Sequence, residues 1–390
     1  MPEIDIRKWS REDVFIYLLF SPAMVLYILA DRFPLIYATP FLYALAAANE
    51  AFKQKSGMEK QLKAAFIGLL FPIFLLIQSA LSLLWHDDVF LIKPLIRDLI
   101  IHSGFFIMIL IPGKFSFRHI RFLFLVLVFS YLAWIDYSDP GSIFRNLFSS
   151  RPPTEFDMGL FFGLFPIYFL FRKNFIWVFA SLVVLIFVSK RVVYLGLVLS
   201  ALWFLMQQIR TPLIQTMLRK YMLLPVFIAA TLFCFFMIPF LQLIFGNDAA
   251  SLNHIDAFLS GRLNAILFEI KAISESSLWQ KILGHGAGQL DVQLSLHQPV
   301  TWAKVFPEPT NPHNDYLKIL FDFGIAGSFA YALSLQSRYT KTQFGFALLV
   351  FSWTLFFFEN ALIHLYFNMI SAILLQAFEN EQKIEIPARS

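Results

Sequence analysis

The chain has 390 residues, of which 58% are hydrophobic, 18% aromatic and only 15% charged, with a net charge of +5. A soluble domain carries about a quarter charged residues, so this composition excludes one and marks a membrane protein. Nothing in so modest a charge suggests a patch for nucleic acid.

Apolar stretches close to the roughly 20 residues that a helix needs to cross the hydrocarbon core recur along the chain. Lipid offers no partner for unpaired backbone groups, and the alternation of a barrel strand is absent, so the expected class is all-α. Hydropathy places about twelve spans near 13–30, 33–49, 64–85, 93–112, 121–135, 158–171, 175–188, 192–208, 222–244, 314–336, 342–358 and 361–378. The first follows Arg7, Lys8 and Arg11 but lacks a small-residue cleavage site after it, and it reads as an uncleaved anchor. The lone Cys234 lies among phenylalanines and reads as a small buried hydrophobe.

Alternating the connections gathers Lys53/Lys55/Lys60/Lys63, Lys114/Arg118/Arg121, Arg172/Lys173, Arg210/Arg219/Lys220 and Arg338/Lys341 on one side with both termini. The positive-inside rule makes that side cytoplasmic. The other side, periplasmic in a bacterium, receives a long segment at about 245–312, too long for a connection without a function. Within it Leu263, Ile266, Leu267, Ile270 and Ile273 repeat at helical spacing behind Ser260-Gly261, which predicts an amphipathic helix on the membrane surface. The run LGHGAGQL at 283–290 follows, its glycines suited to tight turns and close backbone approach.

Polar residues on the outer side are the candidates for chemistry. Arg191, between two spans, reads either as a snorkelling anchor or as an anion ligand. Arg262 sits at a helix start, where the dipole disfavours a cation, so it reads either as a solvated charge or as a partner of backbone N–H groups in holding an anion. His313 follows Asn311, a candidate cap, and Pro312, suited to the first helical position. A helix start keeps an imidazole neutral and able to accept a proton; the bland alternative is a hydrated polar residue.

Along the same helix Asp315, Lys318 and Asp322 are spaced to pair with one another, and Gly324, Ala326 and Gly327 form a small-residue patch for a neighbouring helix. His285, between two glycines, is a second candidate, while Lys93 and Arg97 stand one turn apart near Pro94 and suit either an anion or a snorkelling helix end with Asp98 solvated. No HExxH, CxxC or carboxylate cluster suggests a metal site.

Four elements in order resemble the O-antigen ligase and O-antigen polymerase superfamily of bacterial membrane glycosyltransferases: Ser189-Lys190-Arg191, Ser260-Gly261-Arg262-Leu263, the glycine turn at 283–289 and HNDYLKILFDFGIAG at 313–327. The last is the most specific. The resemblance covers about residues 160–330 and implies a polytopic, GT-C-like fold divided into N-terminal helices (1–157), a catalytic region with the long loop (158–336) and C-terminal helices with a tail (337–390).

It further implies transfer of a glycan from undecaprenyl pyrophosphate to a lipid-linked repeat unit, by a polymerase, or to lipid A core, by a ligase. Arg191 and Arg262 would contact the pyrophosphate and His313 would be the catalytic base. Lys190, where many ligases carry a small residue, leaves open whether it shares the phosphate contact. His285, Asn314 and Arg97 stand as auxiliary candidates, and chain-length regulators or flippases as partners. The residue types fit that chemistry on their own account. Bidentate arginines neutralise a departing pyrophosphate without a metal or other cofactor, and a neutral imidazole takes the acceptor's proton in a single inverting displacement.

The long loop holds Arg262, Lys271, Lys281 and Lys304 against Asp248, Asp256, Glu269, Glu275, Asp291 and Glu308, a balance that leans toward a polymerase because a phosphate-rich core would favour basic residues. A transporter of lipid-linked sugars would share the helices and the cations. It would also show internal repeats and broken helices at the bilayer midplane, which the sequence does not.

Overall fold

The computed structural model describes residues 9–29, 34–53, 69–80, 92–134, 158–188, 191–209, 212–221, 223–246, 263–296, 314–357, 361 and 364–385. Among these residues the fold is all-helical. In chain order the helices are α1 (Arg11–Leu29), α2 (Thr39–Lys53), α3 (Leu70–Ala80), α4 (Ile92–Leu110), α5 (Phe117–Trp134), α6 (Met158–Phe162), α7 (Leu164–Phe171), α8 (Phe175–Val188), α9 (Arg191–Ile209), α10 (Pro212–Tyr221), α11 (Leu223–Phe245), α12 (Leu263–Glu275), α13 (Leu278–Leu283), α14 (Gln289–Leu296), α15 (Asp315–Tyr339), α16 (Gln343–Phe356) and α17 (Leu365–Glu385). Two of them, α1 and α15, are long and apolar enough by length and composition to cross a membrane, and shorter apolar helices accompany them.

Which side chains are covered explains the arrangement. The bodies of α16 and α17 are buried, so these helices form the centre, with α9 packed along α16 and α4 along α17. On α8, α9 and α11, by contrast, Phe175, Ile176, Phe179, Val198, Leu205, Phe236 and Leu243 face outward. So much apolar surface is unfavourable in water and suits contact with lipid.

One end of the bundle is closed by ion pairs. Arg118 pairs with Asp13 at 2.5 Å, Arg172 with Glu381 at 3.0 Å and Arg338 with Glu379 at 2.7 Å, while the Arg338 Nε donates to the Ile109 carbonyl at 3.1 Å. These contacts tie the start of α1 to that of α5, the end of α7 to that of α17, and the end of α15 to those of α4 and α17.

α12 departs from expectation. Of its apolar stripe Ile266 and Ile273 are buried and Ile270 is half-buried, and the helix packs on α15, while Leu267 is 42% exposed. Most of its hydrophobic face is therefore spent on the bundle.

α15 is broken in its middle. Gly324 has φ 64° and ψ −172°, a conformation that is essentially restricted to glycine. The break frees the carbonyls of Phe321 and Asp322, and the glycine turn supplies their donors: His285 N–H donates to Phe321 O at 3.0 Å and Gly286 N–H to Asp322 O at 2.9 Å. Gln78 from α3 also donates to Asp322 O and to Leu283 O. The two backbones touch where they cross. A β-carbon on Gly284 would strike Asp322 and Phe323, and one on Gly324 would strike Gly284 and Ile282.

The Gly324→Ala variant is expected to lose about 3 kcal/mol of stability or more, from backbone strain and this clash together. The loss is read as a lowered melting temperature of the detergent-solubilised protein, with Ala326→Gly as a control on the same helix.

Candidate functional site

The start of α15 is set by Asn314. Its Oδ1 accepts the Leu317 N–H at 3.1 Å, the ordinary N-cap contact. Its Nδ2 donates to Cys234 Sγ at 3.3 Å on α11 and to Phe357 O at 3.3 Å just past α16. Asn314 therefore fixes the helix start against two neighbours, and the cap is Asn314 instead of Asn311. His313 thus precedes the cap and does not fall in the first turn. His313, Arg262 and Lys190 lie outside the described residues; Arg191 opens α9, and its side chain lies outside them as well.

One turn into α15, Lys318 is wholly buried with three carboxylates around it. Its Nζ lies 2.9 Å from Asp98 on α4, 3.2 Å from Asp291 on α14 and 2.7 Å from Asp322 on its own helix. Arg97 joins from α4, pairing with Asp98 at 2.9 Å and with Asp291. Asp322 also accepts the N–H groups of Gly288 at 3.1 Å and Leu290 at 2.8 Å. Buried ions are tolerated only when paired and hydrogen-bonded, and here each charge meets several partners.

The expected pairing within α15 is thus realised for Lys318 and Asp322, while the further partners come from α4 and α14. Asp98 is buried and not solvated, which corrects the reading of this helix end as a snorkelling one. Arg97 faces carboxylates and so acts in the structure as a tie between α4 and α14. The side chain of Lys93 lies outside the described residues.

His285 is held on two sides. Its ring stacks on Phe321, centroids 4.0 Å apart and planes within 3°, and Nε2 lies 2.7 Å from Ser276 Oγ. These contacts lock the glycine turn to α15. No group of metal-ligating side chains occurs among the described residues.

Sequence reasoning missed Glu269. It lies on the covered face of α12, 0% exposed, and both carboxyl oxygens lack a hydrogen-bond partner among the described residues. Burial, followed by the negative charge of Asp291, pushes its pKa well above the usual carboxylate range. One signal was available: Glu269 interrupts an apolar stripe at helical spacing from Ile266 and Ile273.

Two kinds of comparison bear on what this arrangement belongs to. Residues 159–332 match the family model described as O-antigen ligase. That match supports the O-antigen ligase and polymerase superfamily. No curated protein matches the chain. The matched region takes in α9, α11, the glycine turn and the first half of α15, whereas Arg97 and Asp98 lie outside it. The match to this family model suggests a membrane role in glycan transfer.

Lys318→Met strands the carboxylates of Asp98, Asp291 and Asp322, and a loss of about 3–5 kcal/mol is expected in thermal or denaturant unfolding. Glu269→Gln keeps shape without a titratable proton. An acid whose pKa is raised on folding stabilises fully below its unfolded value and loses that contribution as pH rises through its folded value. Melting temperatures taken from about pH 5 to about pH 9 should therefore fall less for Glu269→Gln than for the wild type.

Proposed function

We propose that this protein is a glycosyltransferase of the bacterial inner membrane that works at the periplasmic face, with both termini cytoplasmic. It moves a glycan from undecaprenyl pyrophosphate to a sugar hydroxyl. The observation that carries the reading is the O-antigen ligase match over 159–332, the region that contains Arg191, Arg262 and His313 in that order.

Helix starts support it. Arg191 opens α9, Arg262 directly precedes α12, and His313 directly precedes the Asn314 cap of α15. A helix start carries about half a positive charge, which adds to an arginine in attracting a pyrophosphate and disfavours the protonated imidazole. In the proposed step the acceptor oxygen attacks the anomeric carbon as the bond to the pyrophosphate oxygen breaks. His313 takes the hydroxyl proton, Arg191 and Arg262 balance the charge that develops on the leaving group, and the configuration inverts. The step as written calls on no metal.

The charge balance of the long loop no longer separates the two acceptors. Of its six acids, Glu269 is buried inside the protein, and Asp291 is buried against Lys318 and Arg97. What remains is four basic residues, Arg262, Lys271, Lys281 and Lys304, against four acidic ones, Asp248, Asp256, Glu275 and Glu308. The lean toward a polymerase is thereby lost, and the family's description favours the ligase as a second reading.

His313→Ala is expected to abolish transfer from a purified lipid-linked donor while expression and membrane insertion persist. Turnover that survives the change removes His313 from the mechanism. Arg191→Lys should lower turnover as well, because a point charge cannot reproduce the guanidinium fork. Deletion followed by glycolipid analysis separates the acceptors: core capped with a single repeat unit marks a lost polymerase, and polymer stranded on the carrier marks a lost ligase.

A further inference from the structure

By hydropathy the segment between α12 and the glycine turn belongs to the extramembrane loop, yet it exposes a pair of large apolar side chains. Ser277 caps α13, and Leu278 and Trp279 follow in its first turn, each 71% exposed. Their polar neighbours are turned to local work. Ser277 and Gln280 cap each other, and the Lys281 ammonium is folded back onto the Ser274 carbonyl at 2.8 Å. What the tip offers its surroundings is chiefly an indole and an isobutyl group.

The level of this tip along α15 identifies what covers it. α13 packs against α15, and its last residues meet the break at Gly324. Above the break, residues 315–323 of α15 are enclosed by protein apart from the half-buried Leu320, and Lys318 and Asp322 are paired inside. Directly below it Ile325 and Phe329 turn outward, 61% and 46% exposed, on a helix that is as a whole long and apolar enough to span. The outward apolar surface of α15 therefore begins just past Gly324, and Leu278 and Trp279 open the short helix whose end meets that point.

We infer that the tip of α13, through Leu278 and Trp279, inserts into the lipid leaflet at this end of the bundle and anchors the glycine turn to the membrane. Tryptophan suits such a place, because its ring prefers apolar surroundings while its N–H remains within reach of headgroups or water. The insertion fixes the depth of α13, and through the crossing of Gly284 and Gly324 it fixes the depth of the turn and of the start of α15.

The test uses the full-length protein in phosphatidylcholine/phosphatidylglycerol nanodiscs, with a polarity-sensitive fluorophore on Trp279→Cys. The native thiol, Cys234, is buried, so the wild type reports background labelling. Lys271→Cys, at an outward position of α12, gives the aqueous reference. Insertion is shown by a blue-shifted emission at position 279, quenching by nitroxide-bearing lipid and protection from iodide, with the opposite pattern at position 271. Iodide quenching at position 279 equal to that at 271 overturns the proposal. Protection from both quenchers together with a cross-link between two copies overturns it too, in favour of a dimer contact. Leu278→Cys provides a second label site should Trp279→Cys fail to fold.

Discussion

The arrangement depends on one buried cation. Lys318 is out of contact with water, and an ammonium in such surroundings survives only if carboxylates come to it. Asp322 is supplied one turn away on the same helix, but Asp98 and Asp291 must be delivered by α4 and α14. Satisfying the charge therefore fixes three elements relative to one another. Arg97 extends the constraint by bridging Asp98 and Asp291, so that removing either cation leaves the three carboxylates short of positive charge.

The glycine turn is positioned by the same group. Asp322 binds Lys318 and also accepts the N–H groups of Gly288 and Leu290, while its own carbonyl receives Gly286 and Gln78. A single residue thus joins the ion cluster to the break in α15. Glycine at 284 and 324 is what lets the backbones come close enough for these bonds, and the bonds in turn satisfy the carbonyls that the break exposes. Ion pairs and glycines that look unrelated in the chain serve one packing problem.

This has a functional consequence under the proposed reading. Asn314, the residue after His313 in the chain, holds the start of α15 against α11 and the end of α16. A base that must meet a hydroxyl within hydrogen-bonding distance benefits from such support. The N-terminal third, outside the family match, takes part through Gln78, Arg97 and Asp98. The family-like region is braced by helices with which it shares no motif.

Much of the fold was legible in the chain, because a membrane helix is written as a continuous apolar run whose length is set by the bilayer. The runs at 175–188, 192–208, 222–244 and 342–358 correspond to α8, α9, α11 and α16 with ends shifted by only a few residues. The order of Arg191, Arg262, the glycine turn and His313 was likewise readable, as was the pairing of Lys318 with Asp322, which needs only helical spacing. Tertiary structure alone decided the rest. Asp98 and Asp291 stand almost 200 positions apart, and no local pattern announces that they share a lysine. The burial of Glu269, and of Ile266 and Ile273 beside it on α12, is likewise decided by how that helix packs in the bundle. Local spacing determines which helices form and what each can present; which charges meet is settled by packing, since the cost of burying an ion is paid by partners far away in sequence.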